Sequence, residues 1–344
     1  MHIYIVGQGI AGSLLAWHLD QQGHVVTLMD QGHIGAASTV AAGIINPVTG
    51  KRYVKSWRYD DFFEIAKATY QQLEDSLDLK IWKEKPILRI LNSIEESNDW
   101  SLRCGEYQDL ITEASDAGDW THFLKPAPAF GFIKQGARVD FQALLDGIQA
   151  FFKEKGLFET KKLSFDEVPP LAANCDALVF CGGAADLYNP FFKGIQWQLA
   201  KGEALLIELP EADLDFDGLP MLKKGIMLTQ IKDRLFWAGS NYDWSFEDAQ
   251  PTEFIKKSII ENLDATLQVS YKVIAHRAAI RPTVKDRRPL LGKSLEHDNV
   301  FMFNGLGTKG ALLAPALAVQ LSNHIIEGSP LDMDVDVKRF WGKH

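Results

Sequence analysis

The first 30 residues read MHIYIVGQGIAGSLLAWHLDQQGHVVTLMD. The apolar run from Ile3 to Val6 is typical of a strand buried on both faces, and apolar residues recur at roughly helical spacing from Ala11 to Leu19. A second apolar run, from Val25 to Met29, ends at Asp30. This order of strand, glycine-containing turn, helix and strand predicts a βαβ unit with an acidic residue after its second strand.

The turn in this unit carries the sequence GQGIAG, which places glycine at positions 7, 9 and 12. Gly7 permits a tight turn, Gly9 lets the backbone approach a pyrophosphate, and Gly12 lets the helix pack closely on the strand. The helix N-terminus offers unpaired N–H groups and a positive dipole end to the phosphates. Asp30 can accept hydrogen bonds from a ribose hydroxyl. The pattern predicts a dinucleotide site, and by itself it does not distinguish NAD from FAD.

Length and charge limit the classes of protein that this chain can belong to. A chain of 344 residues predicts two domains, or one large domain with an insertion. The net charge of −9 argues against a nucleic-acid footprint over the whole surface, although it allows a local basic patch. The three cysteines form no CxxC pair, which predicts neither a disulfide framework nor a metal site. With no long apolar run and no signal-like N-terminus, we expect a cytoplasmic protein without integral membrane association.

The middle of the chain is a mixture of helical and strand patterns. Residues 31–58 are rich in small side chains and predict a loop lying close to a ligand. Helical spacing predicts helices over 59–79, 139–156 and 251–267, the second capped by Asp140. Apolar runs predict strands at 87–91 and 177–180, and the second runs into Cys181, Gly182 and Gly183. Residues 196–250 alternate and carry β-formers, which favours an antiparallel sheet in a separate domain.

The C-terminal segment NVFMFNGLGTKGALLAPALAVQLSNHII holds a second strand, glycine loop and apolar helix. Its helix N-terminus is a second site that favours an anion. A flavin enzyme needs such a site, because negative charge develops on the N1–C2=O edge when the flavin is reduced. Lys309 lies in this loop, and it is either a cation for that edge or a solvated loop lysine. This second site favours a flavin over NAD.

Several segments together carry a family resemblance: GQGIAG, Asp30, GARVDFQALLDG, DALVFCGGA, IRPTVKDRRPLLG and NGLGTKGALLAPALA, in that order. This order resembles the FAD-dependent D-amino-acid oxidase superfamily, which includes glycine oxidase, sarcosine oxidase and the oxidase domain of the bifunctional tRNA wobble-uridine modification enzyme. The resemblance covers nearly the whole chain. It implies an α/β (mixed α+β) fold with a Rossmann-like FAD-binding domain from 1–48, 134–187 and 272–344. A substrate domain built on a mainly antiparallel sheet would use 49–133 and 188–271.

The resemblance also implies which residues bind FAD, with no covalent tether and no metal. The first group, around the pyrophosphate and the adenosine ribose, comprises Gly7, Gly9, Ile10, Ala11, Gly12, Asp30 and Gln31. Ser38, Ala42 and Gly43 would line the flavin, and the Leu163 backbone would contact adenine. The remaining residues lie in the two later glycine loops: Cys181, Gly182, Gly183, Gly305, Leu306, Gly307, Thr308, Lys309 and Gly310.

Arg281 matches the arginine that binds the substrate carboxylate in glycine and D-amino-acid oxidases. A guanidinium fork pairs with a carboxylate through two parallel hydrogen bonds, which makes arginine suited to this task. The alternative is a structural ion pair with Asp286 or another acid. Tyr242, Tyr53 and Arg52 are weaker candidates for lining the substrate pocket, and Lys309 would face the flavin pyrimidine.

Three functional hypotheses follow from the resemblance. In the leading one, the protein is an FAD-dependent amine or amino-acid oxidase or dehydrogenase. A C–N bond of a small amino acid or secondary amine is oxidised by hydride transfer to flavin N5, and the imine hydrolyses. Oxygen or another acceptor reoxidises the flavin.

The second hypothesis is a stand-alone oxidase for a tRNA wobble uridine, with Arg281, Lys285, Arg287 and Arg288 as a local basic rim. The net charge disfavours it, and a solvated loop beside Asp286 is the simpler interpretation. The third is a non-catalytic flavin-binding protein. The sequence leaves the oligomeric state open.

Overall fold

The computed structural model describes residues 1–32, 35–50, 52–212 and 214–341. The α-helices in these ranges are α1 Ile10–Gln21, α2 Ala37–Val40, α3 Tyr59–Leu77, α4 Ile94–Glu106, α5 Phe141–Glu154, α6 Val168–Ala172, α7 Glu253–Asp264 and α8 Gly310–Glu327. The strands of the first half are β1 His2–Val6, β2 Val25–Asp30, β3 Ile44–Ile45, β4 Val48–Thr49, β5 Val54–Lys55, β6 Trp82–Glu84, β7 Ile87–Leu91, β8 Ile111–Ala114, β9 Ala129–Ile133 and β10 Ala137–Val139. Those of the second half are β11 Phe158–Thr160, β12 Ala177–Phe180, β13 Ala200–Glu208, β14 Met221–Lys224, β15 Ile226–Lys232, β16 Leu235–Gly239, β17 Lys272–Arg281, β18 Leu290–Lys293 and β19 Val300–Asn304.

A six-stranded sheet contains the N-terminal βαβ unit. Its strand order is β11-β2-β1-β12-β19-β18, with every neighbouring pair parallel except β18 and β19. Every residue of β12 and β19 is buried, which explains why both strands read as continuous apolar runs. The carboxyl ends of β1, β12 and β19 therefore meet at one edge, and the three glycine loops predicted from the sequence follow these ends.

An eight-stranded sheet has the order β17-β13-β16-β15-β14-β7-β9-β8, and its pairs are antiparallel except for β14 with β7. Side chains alternate between its two faces. Leu88, Leu228 and Phe236 on one face belong to a core that this sheet shares with α7. Ile87 and Met221 on the other face join the core that includes the βαβ unit and α8. This second face is thus directed towards the parallel sheet.

The mixed α/β fold and its mainly antiparallel second sheet confirm the fold predicted from the sequence. Asp140 caps α5 as predicted, because its carboxylate accepts a hydrogen bond from the Ala143 N–H at 3.1 Å. In the small-residue loop 31–58, positions 33, 34 and 51 lie outside the described residues. The predicted division assigns residues from 272 onward to the FAD-binding domain, yet β17 pairs with β13 of the eight-stranded sheet. The domain boundaries stay a prediction.

None of the helices in the described ranges is long and apolar enough to cross a membrane. The longest of them, α3, begins with acidic residues and buries one face. The most apolar, α8, packs against α1 and α3 inside the core, which accounts for its apolar sequence.

Candidate active site

The turn between β1 and α1 and the first turn of α1 are packed so tightly that each admits only glycine at one position. A Cβ atom at Gly12 would lie 1.9 Å from the Gly7 carbonyl oxygen, and one at Gly7 would lie 2.5 Å from the Cys181 carbonyl oxygen. Gly7 has a φ of +108°, a conformation that other residues rarely adopt. Gly9 is the N-cap of α1 and contributes no side chain. The helix therefore presents backbone N–H groups to the space in front of it.

The residues around this turn hold its position. The Asp30 carboxylate at the end of β2 accepts hydrogen bonds from the Gln8 N–H at 2.8 Å and the Gly32 N–H at 2.6 Å. The Ser38 hydroxyl accepts one from the Ile10 N–H at 3.0 Å. The Asp30 carbonyl accepts one from the Lys161 N–H at 2.9 Å, which brings the segment of Leu163 near. Both acceptor side chains were predicted as cofactor residues, and the structure brings them to the glycine turn.

Ala42 and Gly43 lie against β10. Ala42 is 5% exposed, and a Cβ atom at Gly43 would lie 1.9 Å from the Val139 carbonyl oxygen. The Val139 N–H donates to the Gly43 carbonyl at 2.9 Å. Gln31 is exposed next to Asp30. The chain after β2 is thus hydrogen-bonded to the end of β10, two residues before α5 begins.

A buried carboxylate joins the two later glycine loops. Asp186 accepts hydrogen bonds from the Gly182 N–H at 2.9 Å and from the Asn304 amide at 2.7 Å. The Asn304 amide also donates to the Gly183 carbonyl, and its oxygen accepts from the Gly305 N–H at 2.8 Å. Burial raises the pKa of Asp186 to about 6, although the hydrogen bonds from these donors act in the opposite direction. The ends of β12 and β19 are therefore tied through one carboxylate, which the sequence analysis missed.

We expect Asn304→Ala to destabilise the protein more at pH 7.5 than at pH 5. The amide donates to the charged form of Asp186, so its loss raises the Asp186 pKa further. Because the folded pKa already lies above the ordinary value, the protein binds more protons than the unfolded chain, and stability falls as pH rises through about 4 to 6. The variant should extend that fall to higher pH. Urea unfolding of both proteins at the two pH values measures it, and an equal loss at both would contradict it.

The third glycine loop, 305–310, contacts the segments that follow β16 and β17. The Gly307 N–H donates to the Pro282 carbonyl at 3.1 Å, and the Thr308 hydroxyl accepts a hydrogen bond from the Tyr242 hydroxyl at 3.1 Å. Lys309 is the N-cap of α8 without a capping side-chain bond. Burial lowers the pKa of Lys309, and Arg288 and Arg287 lower it further. Leu306 and Gly310, which belong to this loop, are buried.

Arg281 lies at the end of β17, 9% exposed, and its guanidinium has only neutral acceptors. It donates to the Lys201 carbonyl at 3.3 Å, the Asn241 carbonyl at 3.1 Å and the Ser240 hydroxyl. Within the described ranges no carboxylate lies within 4.0 Å of it. Asp286, the alternative partner named above, pairs instead with Arg339 at 2.8 Å. A buried guanidinium without an anion is costly, and an anionic ligand would remove that cost.

Tyr242 and Gly202 shape the space around this guanidinium. The Arg281 Cζ atom lies 4.5 Å from the centre of the Tyr242 ring, within cation–π range. A Cβ atom at Gly202 would lie 1.9 Å from Arg281 Nη2, so the neighbouring strand must carry glycine here. Three predicted residues, Arg281, Tyr242 and Thr308, therefore come together, although Gly202 was not foreseen.

A second buried charge fixes the segment that contacts Arg281. Glu203, 0% exposed, accepts hydrogen bonds from the Thr252 N–H at 2.7 Å and from the Thr252 hydroxyl at 3.0 Å. The Glu203 N–H donates to the Asn241 side chain at 2.7 Å. Residues 241–252 are thereby held to β13 at both ends. In the sequence, the available signal for this segment was the pair Ser240 and Asn241, which follows β16.

The structure does not bring Tyr53 or Arg52 to Arg281. Tyr53 is 2% exposed, its ring packs edge-on against Trp100, and Arg89 lies over it at 4.6 Å. Arg52 is exposed, and its carbonyl accepts a hydrogen bond from Arg103. These contacts give Tyr53 a place in the core, and pocket lining by either residue stays a prediction.

The parallel sheet, the three glycine loops at one edge and the opposed antiparallel sheet define a dinucleotide-binding oxidoreductase. The family model described as DAO, FAD dependent oxidoreductase, matches residues 2–323. The chain belongs to this family, and it is an FAD-dependent oxidoreductase. The N-terminus of α1, whose N-cap Gly9 carries no side chain, fits the pyrophosphate of that cofactor.

Named relatives cover almost all of this chain. A glycine oxidase from Pseudomonas putida is 26% identical over 360 residues, covering 95% of this chain and 94% of that protein. The tRNA 5-methylaminomethyl-2-thiouridine biosynthesis bifunctional protein of Acinetobacter baylyi is 25% identical, over 97% of this chain and 54% of that protein. The crystal structure of iminodiacetate oxidase from Chelativorans superposes with a TM-score of 0.77 and 19% identity, over 98% of both chains.

Proposed function

We propose that this protein oxidises the C–N bond of a small amino acid or secondary amine. The observation that carries the proposal is the buried Arg281 guanidinium, which has neutral acceptors and no carboxylate partner beside the third glycine loop. When bound, FAD would supply the acceptor for the hydride that leaves the substrate carbon, and the resulting imine would hydrolyse in water. The relatives named for glycine oxidation support the same class of substrate.

The chain's own residues position the substrate in this proposal. Arg281 pairs bidentately with the carboxylate, and its burial strengthens that pairing because few waters compete. The Tyr242 ring covers the guanidinium, and its hydroxyl bond to Thr308 fixes the glycine loop beside it. Orientation of this kind supplies much of the rate, so the site needs no dedicated acid or base.

We propose the cofactor contacts from the residues around the glycine loops. Gly7, Gly9 and the N-terminus of α1 would hold the pyrophosphate, and Asp30 would hold the adenosine ribose. The loop at Lys309 would lie beside the flavin. We expect FAD to bind non-covalently, and burial, which raises the pKa of the Cys181 thiol, disfavours this thiol as a tether.

An anaerobic titration tests the proposal. The holoprotein is mixed with glycine, sarcosine, D-alanine and D-proline, and the visible flavin band is followed. We expect at least one of these to bleach the band, because each presents a carboxylate and an oxidisable C–N bond in one small molecule. Dithionite serves as the control for complete reduction. A holoprotein that dithionite bleaches and that none of the four amines reduces would exclude these four as substrates, and failure of a panel widened to the other small D- and L-amino acids and to iminodiacetate would contradict the proposal.

A second candidate is the tRNA wobble-uridine oxidase. The likeness to the bifunctional tRNA protein and the cations Arg287, Arg288 and Lys309 favour it. The net charge of −9 disfavours a polyanionic substrate. A gel shift with tRNA at low salt separates the two candidates, and we expect no shift.

A further inference from the structure

Helix α8 contains a proline that leaves one of its own carbonyl groups without the usual donor. Pro315 lies in the second turn of α8. Because proline has no backbone N–H, the hydrogen bond that residue 315 would donate to the Ala311 carbonyl, four residues earlier, cannot form. Ala311 is 3% exposed, so its carbonyl needs a donor from elsewhere in the protein.

A tyrosine of another helix supplies that donor. The Tyr70 hydroxyl, on α3, donates to the Ala311 carbonyl at 2.8 Å. Tyr70 is 0% exposed, and its ring stacks on the Trp82 ring with the two centroids 5.7 Å apart. Burial raises the pKa of the Tyr70 hydroxyl, so the group stays protonated and can donate near neutral pH. Tyr70 thus replaces, from outside α8, the hydrogen bond that Pro315 removes.

This hydrogen bond anchors the turn of α8 that begins at the third glycine loop. The first N–H groups of a helix have no partner inside the helix. A Cβ atom at Gly310, the first residue of α8, would lie 3.2 Å from Cγ2 of Ile10, the first residue of α1. The N-termini of the two helices therefore lie side by side, and Tyr70 holds the second of them in place.

The anchored turn has an electrostatic consequence for the cofactor. Negative charge develops on the N1–C2=O edge of a flavin when it is reduced, and helix N–H groups directed at that edge stabilise the charge. Without the Tyr70 hydroxyl, the Ala311 carbonyl would keep its full negative end in this turn. A loosened turn would also direct its N–H groups less well. Both changes disfavour the reduced flavin, so they act in the same direction.

From these contacts we propose that Tyr70 is a positioning residue, which raises the reduction potential of the flavin by holding the first turn of α8 through the Ala311 carbonyl. The inference rests on the proposed contact between the third glycine loop and the flavin. It does not depend on which amine is oxidised.

The same helix offers a matched control for this tyrosine. Tyr59, the first residue of α3, is 2% exposed, and its hydroxyl donates to the Gln135 carbonyl at 2.6 Å. Its ring stacks on Phe63, with centroids 5.1 Å apart. A change to phenylalanine at Tyr59 or at Tyr70 therefore removes one buried hydroxyl from a backbone carbonyl and keeps the ring. Only the carbonyl that Tyr70 contacts belongs to α8.

The reduction potential of the bound flavin tests the inference without any substrate. It is measured by slow anaerobic reduction beside a reference dye, in the parent protein and in the Tyr70→Phe and Tyr59→Phe variants. We expect Tyr70→Phe to shift the equilibrium roughly tenfold towards oxidised flavin, a potential about 30 mV lower for a two-electron couple. Tyr59→Phe should keep the parent potential. Equal potentials in all three proteins, or equal falls in both variants, would overturn the inference.

A second change in α8 should rescue the variant. Alanine at position 315 restores an N–H that can donate to the Ala311 carbonyl, so Tyr70→Phe with Pro315→Ala should have nearly the potential of Pro315→Ala alone. A full tenfold shift between these two proteins would overturn the inference. If Tyr70→Phe loses FAD, its return in the double variant supports the inference, and continued loss overturns it. A failure of amine oxidation leaves these potentials measurable, so the two proposals can fail separately.

Discussion

Arg281→Lys is expected to lower kcat/KM for a carboxylate-bearing amine by roughly 100- to 1000-fold. Lysine keeps the positive charge but loses the planar fork that pairs with both carboxylate oxygens. It also leaves the Ser240 hydroxyl and the Lys201 and Asn241 carbonyls without their buried donor. Gly202 offers no side chain to fill the space that the guanidinium leaves.

The measurement is steady-state kinetics on the amine that reduces the flavin best, with FAD content determined beside it. Arg277→Lys is the matched control, because Arg277 lies on the same strand and is exposed. It should keep the kinetics of the parent protein. An Arg281→Lys protein with full FAD content and an unchanged KM would show that the substrate carboxylate binds elsewhere.

Gly12→Ala is expected to yield protein that purifies without flavin. The added methyl group would lie 1.9 Å from the Gly7 carbonyl oxygen, so α1 must move away from β1. Overpacking of this kind costs about 1–3 kcal/mol of stability. The larger effect falls on FAD, because the displaced helix no longer directs its N–H groups at the pyrophosphate. The absorbance ratio of flavin to protein after FAD addition and gel filtration measures it.

Gly105→Ala is the control for this variant. Gly105 lies in α4, and a Cβ atom there would meet no atom within 4 Å. Alanine has the higher helix propensity, so this variant should gain up to about 1 kcal/mol and bind FAD normally. Normal flavin content in Gly12→Ala would mean that the close contact relaxes without cost to the phosphate site.

The cofactor side of the molecule could be predicted from the sequence because its constraints are local. Gly12 is required by its close approach to Gly7, and Asp30 follows directly from the strand that ends beside it. These contacts lie within the first 30 residues, whereas the contact that requires Gly7 is with Cys181, which follows the neighbouring strand β12 of the sheet. The order of later segments then extended the prediction to the fold class and to FAD.

The proposed substrate site could be predicted only in part because its contacts join distant segments. Arg281 was recognised by resemblance, but its acceptors come from Lys201 and the Ser240–Asn241 pair on other strands. The partner of Asp286 is Arg339, 53 residues away, so the pairing could not be decided from the run itself. The sequence could not decide whether Tyr53 lies in the core or lines a pocket, because an aromatic side chain is suited to both places.

The clamp of residues 241–252 on Glu203 has an evolutionary consequence. The segment touches Arg281 through Asn241 and the glycine loop through Tyr242, whereas the glycine turn at α1 is built from other parts of the chain. Under the proposed function, lineages that alter residues between Tyr242 and Thr252, and so leave the contact of Tyr242 with Thr308 intact, can therefore acquire new substrates while retaining the same cofactor. Selection on these two properties can proceed separately within one scaffold.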